Sequence, residues 1–148
     1  MNQPTAEGVL RRLDVLVGDW TLEATWPSGE SWPGRATFEW HPSRAHLVQH
    51  VEIDHPHAPR SLAIIGCDGA AGTYYQLYSD ERGVCRVYEM TITDTELVLR
   101  RTGEPFAQRY VGTIGDGGTT ITGRWEIAED FTNYVTDFQV DYRKVRTE

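Results

Sequence analysis

The chain has 148 residues, two cysteines and a formal net charge of −8 at pH 7. This length fits one domain, residues 1–148, that buries a core without disulfides or a structural metal ion. The negative charge argues against nucleic acid and against an anionic membrane surface as the main partner, because both are negatively charged themselves. No stretch of about eighteen apolar residues is present, and residues 1–8 lack the basic start and apolar core of a signal peptide. We therefore expect a cytoplasmic protein.

One segment near the N-terminus has helical periodicity. Its apolar residues recur at intervals of three and four, which predicts an amphipathic helix over residues 5–17. Thr5 is a suitable N-cap, and Gly18 follows the last helical position. In a mostly β protein such an apolar stripe is best covered at the open end of a barrel, so we expect a capping helix. The stripe consists of Val9, Leu10, Leu13, Leu16 and Val17.

From Gly18 onward the apolar period changes to two, which is typical of half-buried strands. Short segments containing Gly, Pro, Asp or Glu separate the alternating stretches, so neighbours in sequence should pair as antiparallel strands. The pattern predicts ten strands, at residues 20–26, 35–40, 47–53, 62–67, 73–79, 84–92, 96–101, 106–114, 119–127 and 133–145.

These strands predict an all-β fold, a single ten-stranded antiparallel up-and-down barrel over residues 18–146 with the short N-terminal helix over one end. Closure is favoured because ten strands in one open sheet would leave exposed edges. The alternative is a β-sandwich, which requires Greek-key crossovers. The connections around Pro56 and Ala70 are long enough for such crossovers.

The hairpin over residues 73–92 places a charged residue on an apolar face. Side chains alternate along a strand, so Arg86 shares the more apolar face with Tyr88. An arginine is seldom buried without a partner. Arg86 therefore either meets an anionic or hydrogen-bonding group in a cavity or forms a structural pair, for example with Asp80 or Glu52.

A ten-stranded barrel is wide enough to enclose a cavity. Arg86 and Tyr88 would present a guanidinium and a hydroxyl about 7 Å apart along one strand, which suits a carboxylate. We therefore predict a protein that binds a small, largely apolar ligand with an acidic or carbonyl group in a hydrophobic pocket. The predicted ligand-binding residues are Arg86, Tyr88, Tyr78, Gln108, Trp40, Met90, Trp125 and Phe38.

Two alternatives stay open from the sequence. The first is a cofactor-free cyclase or isomerase that uses the same pocket, with Tyr78 or Tyr88 as the acid and Glu52 or a histidine as the base. The second is a haem or metal protein. No cofactor and no metal site are predicted, and the oligomeric state is open, with a homodimer through strand edges or apolar patches as one option.

The haem or metal alternative depends on four histidines. His46 and His50 share a strand face but lie about 13 Å apart, too far to ligate one ion together. Either one alone could face the cavity as a haem ligand. The loop that holds His55 and His57 matches no known ligand spacing.

The sequence as a whole resembles the lipocalin-like (calycin) barrels. The resemblance covers nearly the whole chain and rests on the order of a short helix, the stretch Leu16-Val17-Gly18-Asp19-Trp20, and ten strands that end in Trp125-Glu126 and Asp137-Phe138. Within this group the chain looks most like small bacterial proteins of unassigned function that are related in shape to nitrobindins and fatty-acid-binding proteins. The resemblance implies a barrel that holds its ligand inside.

The ligand-binding residues of nitrobindins and of fatty-acid-binding proteins can be compared with this sequence. Nitrobindins bind haem through a histidine near the C-terminus, whereas this sequence has no histidine after His57. Fatty-acid-binding proteins hold the carboxylate with an Arg-x-Tyr motif on their last strands. The corresponding Arg86-Val87-Tyr88 lies on a middle strand here, so the resemblance implies similar chemistry at a different position.

Overall fold

The computed structural model describes residues 7–69, 73–103 and 105–145, and for Glu7 the backbone alone. A helix α1 (Glu7–Leu10) continues into a 3-10 helix (Arg11–Leu16), and a second 3-10 turn (Asp116–Gly118) follows the eighth strand. The strands are β1 (Gly18–Thr25), β2 (Ser31–Trp40), β3 (Leu47–Ile53), β4 (Ser61–Asp68), β5 (Thr73–Asp80), β6 (Cys85–Ile92), β7 (Glu96–Arg101), β8 (Ala107–Gly115), β9 (Thr120–Ala128) and β10 (Val135–Lys144).

The ten strands form one closed antiparallel barrel. Each strand pairs with its neighbours in sequence, and β1 pairs with β10 to close the sheet, with Trp20 opposite Lys144. The predicted up-and-down barrel is confirmed. The β-sandwich alternative is wrong, because the order of the ten described strands contains no crossover. Closure leaves none of these strands with an unpaired edge, which is the physical advantage that favours a barrel.

The N-terminal helical segment differs from the continuous α-helix that the sequence predicts. Only Glu7–Leu10 is α-helical, and residues from Arg11 to Leu16 form the tighter 3-10 helix. A 3-10 helix places residues three apart on one face, and this aligns Leu13 with Leu16 for burial. Both leucines are almost completely buried. The predicted N-cap, Thr5, lies outside the described residues.

Side chains from several strands bind the helical segment to one end of the barrel. The donors come from the start of β1, the end of β2, the start of β5 and the end of β10, which all lie at the same end. The segment therefore covers that end and leaves the opposite end available as a mouth. The hydrogen bonds are Trp20 Nε1 to Leu16 O at 2.8 Å, Trp40 Nε1 to Asp14 Oδ1 at 2.9 Å, Lys144 Nζ to Val15 O at 2.8 Å, and Tyr74 Oη to Val9 O.

Inside the barrel, the Tyr110 ring packs over two glycines that lie opposite each other, Gly112 on β8 and Gly123 on β9. Its hydroxyl donates to Val140 O on β10 at 2.9 Å. A Cβ atom added at Gly123 would lie 2.5 Å from Val111 O and 2.6 Å from the Tyr110 hydroxyl oxygen. The glycines therefore provide the space in which this aromatic ring bridges three strands.

Replacing Gly123 with alanine should lower the free energy of unfolding by about 1–3 kcal/mol, because the new methyl group overlaps backbone and ring atoms. Urea unfolding monitored by tryptophan fluorescence measures the change. Gly8→Ala is the control, since nothing lies within 4 Å of a Cβ atom there. Alanine should be neutral or stabilising by up to about 1 kcal/mol at that helical position. Equal stability of the two variants would contradict the packing described for Tyr110.

The outer face of the barrel carries an exposed apolar row across β3 to β6. Val48, Ile64, Leu77 and Val87 lie side by side in register, and Val87 is 57% exposed. Nothing among residues 7–69, 73–103 and 105–145 shows what covers this row, and the homodimer stays a prediction. In the same part of the chain, the helices are too short and too polar to cross a bilayer.

Candidate functional site

The barrel encloses a cavity of about 770 Å³. Aromatic and aliphatic side chains dominate the wall that β1, β2, β9 and β10 form, where Trp26 stacks on Phe138 with ring centroids 5.1 Å apart. Most of the polar side chains lie on the opposite wall. They include Gln49 on β3, Gln76 and Tyr78 on β5, Arg86 and Tyr88 on β6, and Gln108 on β8.

Arg86 and Tyr88 converge on one acceptor in this cavity. The Tyr88 hydroxyl donates to Gln108 Oε1 at 2.7 Å, and Arg86 Nη1 donates to the same oxygen at 3.4 Å. The Arg86 guanidinium also lies over the Phe106 ring, 5.3 Å from its centroid. Burial raises the pKa of Tyr88, and the neighbouring Arg86 offsets part of this effect. Tyr88 therefore acts as a neutral hydroxyl beside a cationic guanidinium.

The structural pair considered for Arg86 is not formed. Asp80 instead accepts hydrogen bonds from the Tyr78 hydroxyl at 2.7 Å and from Arg82 Nη2 at 2.6 Å. Glu52 lies on the outer face, where it pairs with Arg35 at 3.0 Å. Asp80 pairs with Arg82 and not with Arg86, because Arg82 lies only two residues away in the same turn. Among the described residues, no carboxylate forms an ion pair with Arg86.

Of the acids and bases suggested for a cyclase or isomerase, Tyr78 and Glu52 are not brought together. Tyr78 already donates its proton to a hydrogen bond with Asp80, and burial, followed by Asp80 itself, raises the pKa of the Tyr78 hydroxyl. Tyr78 is therefore a poor proton donor to a substrate. Glu52 faces away from the cavity, because it falls on the outward positions of β3.

The histidines lie outside the cavity or at its mouth. His50 is exposed on an outward position of β3, and the His46 ring stacks on His41 with centroids 4.6 Å apart, so neither lines the cavity. His55 and His57 do line the mouth, and His55 Nδ1 accepts from the His57 N–H at 3.0 Å. Within the described ranges, no three His, Cys, Asp or Glu side chains are close enough to hold a metal ion. A haem ligand at His46 or His50 therefore has no support in this geometry.

Seven of the eight predicted ligand-binding residues line the cavity, and Trp40 does not. Its indole N–H donates to Asp14 at 2.9 Å, and Arg44 lies over its ring at 5.9 Å. The alternation of β2 points Trp40 inward, but at the end of the barrel that the helical segment fills. Trp40 therefore anchors the helical segment. The seven cavity residues are Arg86, Tyr88, Tyr78, Gln108, Met90, Trp125 and Phe38.

Two glutamines in the cavity were missed from the sequence. Gln49 is 8% exposed and Gln76 is 6% exposed, and both line the cavity. Each occupies an inward position of its strand, Gln49 between the inward residues Leu47 and Val51. One sequence signal could have identified them, because each is a polar residue at an inward position of an otherwise apolar strand face.

Asp137 also reaches the cavity, although simple alternation directs it outward. The pairing of β10 with β9 is interrupted between Thr136 and Phe138, so Asp137 is an extra residue at a β-bulge. Asp137 and Phe138 consequently both line the cavity. Burial raises the pKa of the Asp137 carboxyl group. The bulge thus adds an acidic group to the aromatic wall.

No protein-family model and no curated protein sequence matches the chain. Among solved structures, the chain is similar to Rv2717c from M. tuberculosis, with a TM-score of 0.62 and 12% sequence identity. The similarity covers 93% of this chain and 98% of that chain. At this identity the likeness shows a shared barrel fold and nothing about the cavity residues.

Proposed function

We propose that the protein binds one small, largely apolar molecule inside the barrel and that Arg86 holds an acidic or carbonyl group of this ligand. The observation that carries the proposal is the position of Arg86. It lines a mostly apolar cavity, and no carboxylate in the described part of the chain pairs with it. Keeping a cation in such surroundings without a counter-charge is unfavourable, and a bound anion compensates for its lost hydration.

The surrounding groups suit this role. Gln108 accepts from both Arg86 and Tyr88, which holds the guanidinium and the hydroxyl toward the same part of the cavity. A ligand oxygen placed there would receive charge-assisted hydrogen bonds, which are among the strongest polar contacts in proteins. The aromatic wall would cover the apolar body of the ligand. In this wall the Trp125 ring packs against the Tyr88 ring, with 5.5 Å between their centroids.

The size of the cavity supports a single small molecule. Sites for small ligands commonly enclose about 300–1,000 Å³ and combine apolar walls with a few polar groups that fix orientation. The present cavity, at about 770 Å³, falls in that range. Native mass spectrometry of the protein as purified, beside a denatured control, would identify a molecule that co-purifies in it.

Replacing Arg86 with methionine should weaken the binding of an acidic probe by about ten- to a hundredfold, the equivalent of one hydrogen bond to a charged group. Binding is measured with a fluorescently labelled fatty acid and by its displacement with stearate. Stearyl alcohol, which lacks the carboxylate, should bind both proteins about equally.

Arg143→Met is the matched control for this experiment. Arg143 is exposed on the outer face of β10, so its replacement removes the same charge without touching the cavity. The control variant should bind stearate like the unmodified protein. Unchanged stearate binding by Arg86→Met would show that Arg86 does not hold the acidic group and would overturn the proposal.

A further inference from the structure

Among the residues that the structure describes, nothing pairs with the side-chain amides of Gln49 and Gln76. Both side chains are more than nine-tenths buried and line the cavity. Neither amide forms a hydrogen bond with any other described residue, and neither has an atom that is sealed from the cavity. The two amides therefore present their donors and acceptors to the cavity itself.

An amide in this position is unfavourable unless something binds it. Buried polar groups in folded proteins nearly always have a hydrogen-bond partner, and the loss of hydration is costly when they do not. Both amides lie on the same polar wall as Arg86, yet they carry no charge. Each offers a carbonyl acceptor and two N–H donors, which match a neutral polar group.

The strand register places the glutamines at a defined distance from Arg86. Gln76 lies opposite Tyr88, so its Cα atom is one strand and two residues from that of Arg86, a separation of about 8 Å. Gln49 lies in the row that continues through Ala63 to Tyr78.

We propose that Gln49 and Gln76 form a second, neutral subsite for a hydroxyl, ketone or amide group in the body of the same ligand. The inference rests on the proposed function and narrows its ligand class. The ligand is then an apolar acid with an additional oxygen or amide along its chain, in preference to a plain hydrocarbon acid. A second charged group is disfavoured there, because the glutamines provide no counter-charge.

The test compares stearate with a positional series of hydroxystearates and ketostearates, which share chain length and carboxylate. We expect at least one member of the series to bind about tenfold more tightly than stearate, the effect of one neutral hydrogen bond in a buried site. In the double variant Gln49→Met/Gln76→Met, that preference should disappear while stearate binds at least as tightly as before. Gln139→Met, an exposed outer-face position, should leave the preference unchanged.

Failure of this inference can be told apart from failure of the proposed function. If stearate binds through Arg86 and the double variant keeps the preference, or if no member of the series is preferred, the subsite is wrong and the acid site stands. If no acid binds, or if Arg86→Met changes nothing, both proposals fall.

A second readout does not depend on a ligand. Removing the two amides should not lower the melting temperature of the ligand-free double variant, because neither amide bonds to another described residue and methionine has a similar shape. A lower melting temperature would mean that the protein itself uses these amides for stability, and this would overturn the subsite.

Discussion

Leu13→Ala is expected to reduce the free energy of unfolding by about 2–5 kcal/mol, the range for a fully buried leucine in a core. Leu13 has no exposed surface and belongs to the same buried cluster as Leu16 and Trp20. The truncation leaves a cavity between the helical segment and the barrel interior. The hydrogen bonds that hold this segment do not compensate, since they depend on the same docked position.

Chemical denaturation followed by tryptophan fluorescence measures this loss, because Trp20 lies at the junction. Leu62→Ala provides the comparison, as Leu62 is 39% exposed on β4. That change should lower the free energy of unfolding by less than Leu13→Ala does, because Leu62 is only partly buried and its truncation leaves no enclosed cavity. A small loss in Leu13→Ala, equal to that in Leu62→Ala, would show that the segment does not seal the barrel.

The second large effect is expected at Asp80. Its replacement by asparagine should lower the free energy of unfolding by about 2–3 kcal/mol. The carboxylate is completely buried, whereas its partner Arg82 is 57% exposed. It accepts from the Tyr78 hydroxyl, from the Arg82 guanidinium and from the Arg82 backbone N–H. Asparagine has the same shape but no charge. Its N–H₂ group would also replace an acceptor oxygen and would face the hydrogen-bond donors of Tyr78 or Arg82.

The stabilisation that the Asp80 carboxylate provides should decrease as the pH falls. The hydrogen bond from Arg82, and then that from Tyr78, holds the pKa of the Asp80 carboxyl group well below its ordinary value. A carboxyl group with a lowered pKa in the folded state stabilises the protein above its unfolded pKa of about 3.9. This contribution is lost progressively as the pH falls below that value. The stability difference between the protein and Asp80→Asn should therefore be full at neutral pH and smaller at about pH 2.

Glu81 offers a matched control in the same turn. It also pairs with an arginine, Arg60 at 3.1 Å, but its side chain is 51% exposed. Glu81→Gln should lower the free energy of unfolding much less than Asp80→Asn does, because exposed ion pairs are screened by water. Urea unfolding of both variants across the acidic range gives the comparison. Equal losses for the two variants at neutral pH would show that burial does not strengthen the Asp80 pair.

Much of the fold could be read from local patterns. Alternation with period two fixed the faces of the strands, and the turn residues fixed most of their ends, as at Gly83, whose φ of 82° suits a glycine. The same rule placed Arg86 and Tyr88 on one inward face. Such features are local, because they depend on the pleat of a single strand and the conformational freedom of a few residues.

Other features depended on how distant segments meet. The alternation of side chains along β2 predicts that Trp40 points inward. Only the packed helical segment shows that this end of the barrel is filled. The bulge that turns Asp137 into the cavity arises from the register of β10 against β9, which no single strand reveals. Arg82 displaced Arg86 as the partner of Asp80 through the geometry of one turn.

The sequence by itself therefore determined the all-β class, the number of strands and the inward position of most cavity residues. The tertiary structure decided the depth of each residue along the barrel, the partner of each polar group, and the isolation of Gln49 and Gln76. The physical reason is that side-chain direction follows from local backbone geometry. Hydrogen-bond satisfaction is a property of the whole packed interior.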